Sequence, residues 1–127
     1  MRPRGWLYWL VVAIAMTTLV SGVGQLIAPR VVLAFVAAQR TPTSAHFFAI
    51  VGMFMALFGC LLLHGLVSSV PNRVAILWAG LQKFGAVAAV GLGVQHGIFS
   101  SLALVIAAFD LFSGVAVILY WREAVSR

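Results

Sequence analysis

Residues 74–94 read VAILWAGLQKFGAVAAVGLGV, and Gln82 and Lys83 are the two strongly polar side chains in this apolar stretch. A helix needs about 20 residues to cross the ~30 Å hydrocarbon core of a membrane, so the stretch is long enough to span one. A charge at the bilayer centre costs about 2.5–3.5 kcal/mol on insertion scales. Lys83 is therefore expected to face other helices and to have a partner there.

The composition of the whole chain agrees with a membrane protein. Of its 127 residues, 64% are hydrophobic and 8% are charged, whereas soluble domains carry about 25% charged residues. The net charge of +6 does not predict a nucleic-acid partner, because the basic residues stand singly at the ends of apolar runs. The lipid bilayer is the predicted partner. The single cysteine, Cys60, cannot form an intrachain disulfide and is predicted to fill the core.

Apolar length predicts an all-α, integral membrane four-helix bundle in a single domain, residues 1–127. The spans are expected at 6–27, 45–67, 73–95 and 98–121. The first run is longer than the 7–15 apolar residues of a signal peptide, so it is interpreted as a retained span. A short extracytoplasmic surface helix at 29–39 is predicted between spans one and two, with Pro29 in its first turn. Thr41-Pro42 would end it, and Ser44 or Thr43 would cap the second span.

The distribution of basic residues predicts the orientation. With four spans, the N-terminus, the loop between spans two and three, and the C-terminus share one side of the membrane. The positive-inside rule places both termini in the cytoplasm, because that side is the more basic. The membrane is expected to be a bacterial inner membrane. Its basic residues are Arg2, Arg4, Arg73, Arg122 and Arg127, against Arg30 and Arg40 opposite.

Small residues at four-residue spacing predict close helix packing, or equally a dimer surface. They are Gly52, Ala56 and Cys60 in span two, Gly85, Ala89 and Gly93 in span three, and Ala103, Ala107 and Gly114 in span four.

Asp110 is the expected partner of Lys83. The chain has two acids, and the other, Glu123, lies beyond the last span. With a tight turn at Gly97, formed with Gln95 and His96, Lys83 lies 14 residues before the turn and Asp110 13 residues after it. At ~1.5 Å per residue the two reach nearly equal depth on adjacent antiparallel helices. The pair could fix the register of the hairpin or serve as a proton or ligand site, and both interpretations stay open.

A second group of polar residues predicts the mouth of a pocket. Gln25, His46, Gln95 and His96 are expected near the extracytoplasmic face, and Gln82 is assigned to the same candidate pocket. Two histidines at one depth could ligate haem or a metal, but no third ligand accompanies them, so neither is predicted. A quinone or lipid tail would suit the Met- and Phe-rich second span.

The stretches SGVGQLIAPRVVLAFV and HFFAIVGMFMALFGCLLL resemble the DoxX-like superfamily of small four-span membrane proteins. The resemblance implies a short surface helix after the first span and an accessory or quinone-linked role, and it carries over no catalytic residue. Two functions are therefore favoured: an accessory or assembly subunit that docks other membrane subunits or a second copy, and a binder of a quinone or lipid. The alternative is a proton-coupled transporter or a membrane enzyme that uses Lys83 and Asp110. No nucleophile–base pair or metal set supports an enzyme.

Overall fold

The computed structural model describes residues 5–36 and 40–125. These residues form five helices: α1 (Trp6–Ile27), α2 (Pro29–Val36), α3 (Pro42–Val67), α4 (Arg73–Gln95) and α5 (Ala103–Val125). By length and composition α1, α3, α4 and α5 can each cross a membrane. The predicted all-α four-helix bundle is confirmed. The short helix between the first two spans is present to Val36, and residues 37–39 of its predicted range lie outside the described residues.

The second span begins earlier than predicted. α3 begins at Pro42, and Thr41 is its N-cap, whereas the sequence predicts a helix from residue 45 with Ser44 or Thr43 as its cap. Thr41 Oγ1 accepts a hydrogen bond from the Ser44 backbone N–H at 3.0 Å, and Ser44 Oγ accepts one from the Thr41 N–H at 2.9 Å. This reciprocal capping box, with proline in the first helical position, starts the helix three residues sooner.

The last span begins later than predicted, at Ala103 instead of residue 98, so its connection from α4 is longer than a tight hairpin. Gly97 makes the turn with φ +73°, a conformation that favours glycine. The residues after it pack against the rest of the protein. The Phe99 ring lies on Gly93, and the Ser100 N–H and hydroxyl donate to the carbonyls of Val36 (2.7 Å) and Phe35 (3.1 Å). These contacts hold the end of α2 against the α4–α5 connection.

The bundle is built from two tightly packed pairs, α1 with α3 and α4 with α5. Glycines bring the α1 and α3 backbones together: a Cβ added to Gly22 would lie 2.7 Å from the Gly52 carbonyl oxygen, and one on Gly59 would lie 2.7 Å from the Leu19 nitrogen. Cys60 lies beside this contact but is exposed, so its predicted core role is wrong. The buried face of α3 runs through Gly52 and Gly59 instead.

The small residues of α4 and α5 behave differently from each other. In α5, Ala103, Ala107 and Gly114 are buried, as expected for an inward face. In α4, Gly93 is buried, but Gly85 and Ala89 are exposed, and a Cβ on Gly85 would meet nothing within 4 Å. Of the three small residues predicted to pack in span three, only Gly93 is therefore buried against the rest of the protein.

Two apolar clusters fill the interior at opposite ends of the bundle. The core at the end where α1 begins comprises Tyr8, Val11, Ile14, Ala15, Leu62, Leu66, Ile76, Ala79, Ala116 and Val117. The other core, under α2, comprises Leu33, Val36, Ala45 and Ala103, with Phe48, Val90, Val94 and Phe99 packed around them. Along α1, α4 and α5, polar side chains occupy the positions between the two cores.

Candidate functional site

The polar side chains between the cores are Thr18 of α1, Lys83 of α4, and Asp110 and Ser113 of α5, and we call them the polar layer. Thr18 and Lys83 are each 4% exposed, and Ser113 is fully buried. Helix geometry explains why they meet, because Lys83 follows the buried Ala79 by one turn and Asp110 follows the buried Ala107 by nearly one. The inward faces of α4 and α5 thus become polar at the same depth.

Lys83 and Asp110 form the ion pair that the count across Gly97 predicts. The Lys83 Nζ lies 3.7 Å from Asp110 Oδ1, and both side chains are largely buried. The pair forms even though the α4–α5 connection is longer than expected. Gly114 helps to accommodate it, because a Cβ there would lie 3.2 Å from the Lys83 Cβ. The glycine therefore lets α5 pack directly against the base of the lysine side chain.

Lys83 also reaches across the bundle to α1. Its ammonium donates a hydrogen bond of 2.5 Å to Thr18 Oγ1, whose own proton is donated to the Ile14 carbonyl at 2.9 Å. With its proton committed to the backbone, the Thr18 hydroxyl is oriented to accept from Lys83. The Phe109 ring adds a cation–π contact, with its centroid 5.9 Å from Nζ. Lys83 thus adds a hydrogen bond between the α4–α5 pair and α1.

Among the described residues, two buried polar atoms have no hydrogen-bond partner: Ser113 Oγ, three residues after Asp110, and Gln82 Oε1, on the residue before Lys83. A buried hydroxyl or amide oxygen without a partner typically costs about 1–3 kcal/mol. Such atoms occur where a site holds a water or a ligand group, or where strain is stored. The polar layer therefore combines a charged pair with spare hydrogen-bonding capacity.

The residues of the predicted polar mouth differ in burial and in hydrogen bonding. Gln25 is buried, and its Nε2 donates to the Phe48 carbonyl at 2.9 Å, tying α1 to α3. His46, Gln95 and His96 are exposed, and Gln82, next to Lys83 in α4, lies about three and a half turns away from Gln95. Among the described residues no three His, Cys, Asp or Glu side chains are grouped as a metal site would require.

The pocket at this end of the bundle is lined by a different set of residues. It lies between α2 and the start of α3 and has a volume of about 260 Å³. Its walls are Arg30, Leu33, Arg40, Thr41, Pro42 and Ala45. The pocket therefore combines two guanidinium groups and a threonine with apolar side chains, an arrangement suited to a molecule with a polar head and an apolar body.

Comparison of the chain with protein-family models, with curated proteins and with solved structures finds no match. The polar layer and the pocket beside α2 are therefore the features of this protein that bear on its function.

The sequence did not predict Thr18 or Ser113 as site residues, nor any of the six residues that line the pocket. Thr18 and Ser113 are hydroxyl residues in apolar spans, where a hydroxyl can bond to its own helix and so gives no signal of a tertiary role. Arg30 and Arg40 served only as evidence for orientation. One signal could have placed the two arginines in a common pocket. They flank an apolar segment, ten positions apart, and Thr41-Pro42 comes directly after Arg40.

Proposed function

We propose that this protein is an integral protein of the bacterial inner membrane that binds an amphipathic ligand, a lipid or a quinone, in the pocket between α2 and α3. The pocket is the observation that carries the proposal. Arg30 and Arg40 offer hydrogen-bond donors for a polar head, while Leu33 and Ala45 are buried apolar groups. Binding here would place a head group at the membrane surface and its tail along the spans.

The surroundings of the pocket support a ligand with an apolar tail. Val31, Phe35 and Phe47 expose more than half of their surface near it, on α2 and in the first turns of α3. Exposed apolar side chains beside a polar pocket are what a tail can cover in the lipid phase. The bonds from Ser100 to α2 also keep the wall of the pocket in place before a ligand arrives.

Native mass spectrometry of the protein purified in a mild detergent tests this function. We expect the intact particle to retain a lipid or a quinone, and we expect a bulky Ala45→Trp substitution in the pocket wall to reduce the retained fraction severalfold. Gly24→Trp serves as the control, because Gly24 is exposed and a Cβ added there meets nothing within 4 Å. A wild-type particle that carries no amphiphile would contradict the proposal.

The same proposal includes an accessory or assembly role among membrane subunits. It is supported by the exposed small residues of α4, Gly85, Ala88 and Ala89, which form a surface that another transmembrane helix can approach closely. A co-purifying subunit or second copy that is lost in Gly85→Leu would support this role. Retention of that protein by the variant would contradict it.

We further propose that both termini face the cytoplasm and that the chain is a DoxX-like protein. The excess of basic residues at the end that carries the termini supports this orientation, as do exposed Trp6, Trp9 and Trp78, which suit an aromatic belt. The short α2 between the first two spans supports the family assignment. Fusions at the C-terminus test the topology: green fluorescent protein should fluoresce, and alkaline phosphatase should be inactive.

A proton-coupled transporter or membrane enzyme is the second candidate, and the Lys83–Asp110 pair beside the unpartnered Ser113 hydroxyl favours it. Proteoliposomes loaded with a pH-sensitive dye test it. Proton flux that Asp110→Asn abolishes, while assembly stays intact, would support this candidate. Glu123→Gln, which removes the other acidic side chain, in the last turn of α5, is the matched control. Absence of flux in the wild type would contradict it.

A further inference from the structure

The pocket between α2 and α3 has an unbalanced positive charge. Arg30 and Arg40 both line it, and both are exposed side chains. The chain has only two acids: Asp110 pairs with Lys83, and Glu123 lies in the last turn of α5, at the opposite end of the bundle. Neither carboxylate can neutralise the pocket. Two guanidinium groups that share one pocket without a carboxylate repel each other and attract an anion from outside the chain.

The helix ends increase this imbalance. Arg30 is the second residue of α2, and Arg40 immediately precedes Thr41, the N-cap of α3. Helix N-termini carry partial positive charge and ordinarily favour acidic side chains. The described helices have no acid in their first turns. Both arginines therefore occupy positions where a cation is unfavourable unless an anion binds beside it.

The donors available to that anion are the guanidinium groups. The capping box between Thr41 and Ser44 already uses both of those side chains at the start of α3. Each arginine offers a planar fork of N–H groups that matches two oxygens of a phosphate or a carboxylate. A single fork satisfies a carboxylate. Two forks lining one pocket suit the several oxygens of a phosphate, which can accept from both sides.

We infer that Arg30 and Arg40 form a binding site for a phosphate group, supplied by the head group of an anionic phospholipid. The inference rests on the proposed ligand-binding function and deepens it by naming the head group. Leu33, Pro42 and Ala45 supply the apolar wall against which the glycerol and the start of the acyl chains lie. Free phosphate shares the recognised chemistry but has no part that this wall would contact.

Native mass spectrometry of the delipidated protein in detergent tests the site directly. The probes are phosphatidylglycerol and diacylglycerol with the same acyl chains, each titrated separately, and inorganic phosphate added as a competitor. We expect the wild type to bind phosphatidylglycerol at least tenfold more tightly than diacylglycerol. The double variant R30Q/R40Q should lose roughly 100-fold in affinity for phosphatidylglycerol, since each charged hydrogen-bonding group contributes about tenfold or more.

The matched control is R73Q/R122Q, which removes two exposed arginines from the other end of the bundle and changes the net charge equally. It should bind phosphatidylglycerol as the wild type does. Circular dichroism on heating checks that each variant is folded. The single variants R30Q and R40Q, each expected to lose about tenfold, replace the double variant if it does not assemble.

The outcomes separate the two proposals. Diacylglycerol binding with no preference for phosphatidylglycerol, or equal phosphatidylglycerol binding by wild type and R30Q/R40Q, would overturn the phosphate site and leave amphiphile binding intact. Binding of neither lipid would overturn both. Displacement of phosphatidylglycerol by micromolar inorganic phosphate would show that the arginines recognise phosphate but would overturn a lipid as its source.

Discussion

Between α1 and α3 the helices meet backbone to backbone, whereas in the polar layer three helices meet through polar and charged side chains. At the first contact Gly22, Gly52 and Gly59 leave no room for another carbon atom. At the second contact Lys83 bridges Thr18 and Asp110 across the bundle interior. The glycine contact should therefore be sensitive to added volume, and the polar layer to the loss of one partner. Four substitutions test this difference.

The largest effect is expected from breaking the ion pair. Replacing Asp110 with Leu leaves the ammonium of Lys83 without its carboxylate, and removal of one partner from a buried pair destabilises proteins by about 3–5 kcal/mol. The double variant K83M/D110L should recover most of that loss, because no charge remains buried. Unfolding in mixed SDS and dodecylmaltoside micelles measures both. A double variant less stable than D110L would contradict a pairwise role for these residues.

Volume added at the α1–α3 contact is expected to have the next largest effect. Gly22→Val should destabilise the bundle by about 3 kcal/mol, because its side chain would collide with the backbone of α3 at Gly52 and Ala56. Gly24→Val, two residues along the same helix, points into open space and should change stability by less than about 1 kcal/mol. Equal losses in the same unfolding measurement would mean that helix propensity, and not the close approach, sets the effect.

Removal of the hydrogen bond from Lys83 to α1 should have a smaller effect. Thr18→Val keeps the shape of the side chain but removes the acceptor, so the ammonium loses one of its hydrogen bonds. We expect a loss of about 2 kcal/mol. Thr17→Val is the control, because Thr17 is exposed and bonds only to the Ala13 carbonyl of its own helix. A stable T18V variant would show that Asp110 alone satisfies Lys83.

The smallest effect is expected at Ser113, and it should have the opposite sign. Ser113 Oγ is fully buried without a hydrogen-bond partner, so Ser113→Ala removes an unsatisfied group and should stabilise the protein by about 1 kcal/mol. A destabilised S113A variant would instead indicate that the hydroxyl binds a water or a ligand. Thermal unfolding with and without bound lipid distinguishes these results.

The same division between local and tertiary effects separates the features that the sequence predicts from those that it misplaces. The turn at Gly97 and the depths of Lys83 and Asp110 predicted a pair that the structure contains, although the connection is longer than the count assumed. The lysine side chain is long enough to absorb that offset. By contrast, the start of α5 was misplaced, because residues 98–102 are apolar enough for a helix but pack on α2 and Gly93 instead.

The sequence by itself determined the four long helices, the short α2 and the need of Lys83 for a carboxylate. Apolar length and the cost of a charge in hydrocarbon are properties of a single segment, so they can be evaluated without knowing its neighbours. Only the tertiary structure decided which hydroxyls join the polar layer, which glycines are contacts and which stay exposed, and that Arg30 and Arg40 share a pocket. These outcomes depend on the rotation of each helix about its axis, and the nearly uniform apolar composition around these helices does not encode that rotation.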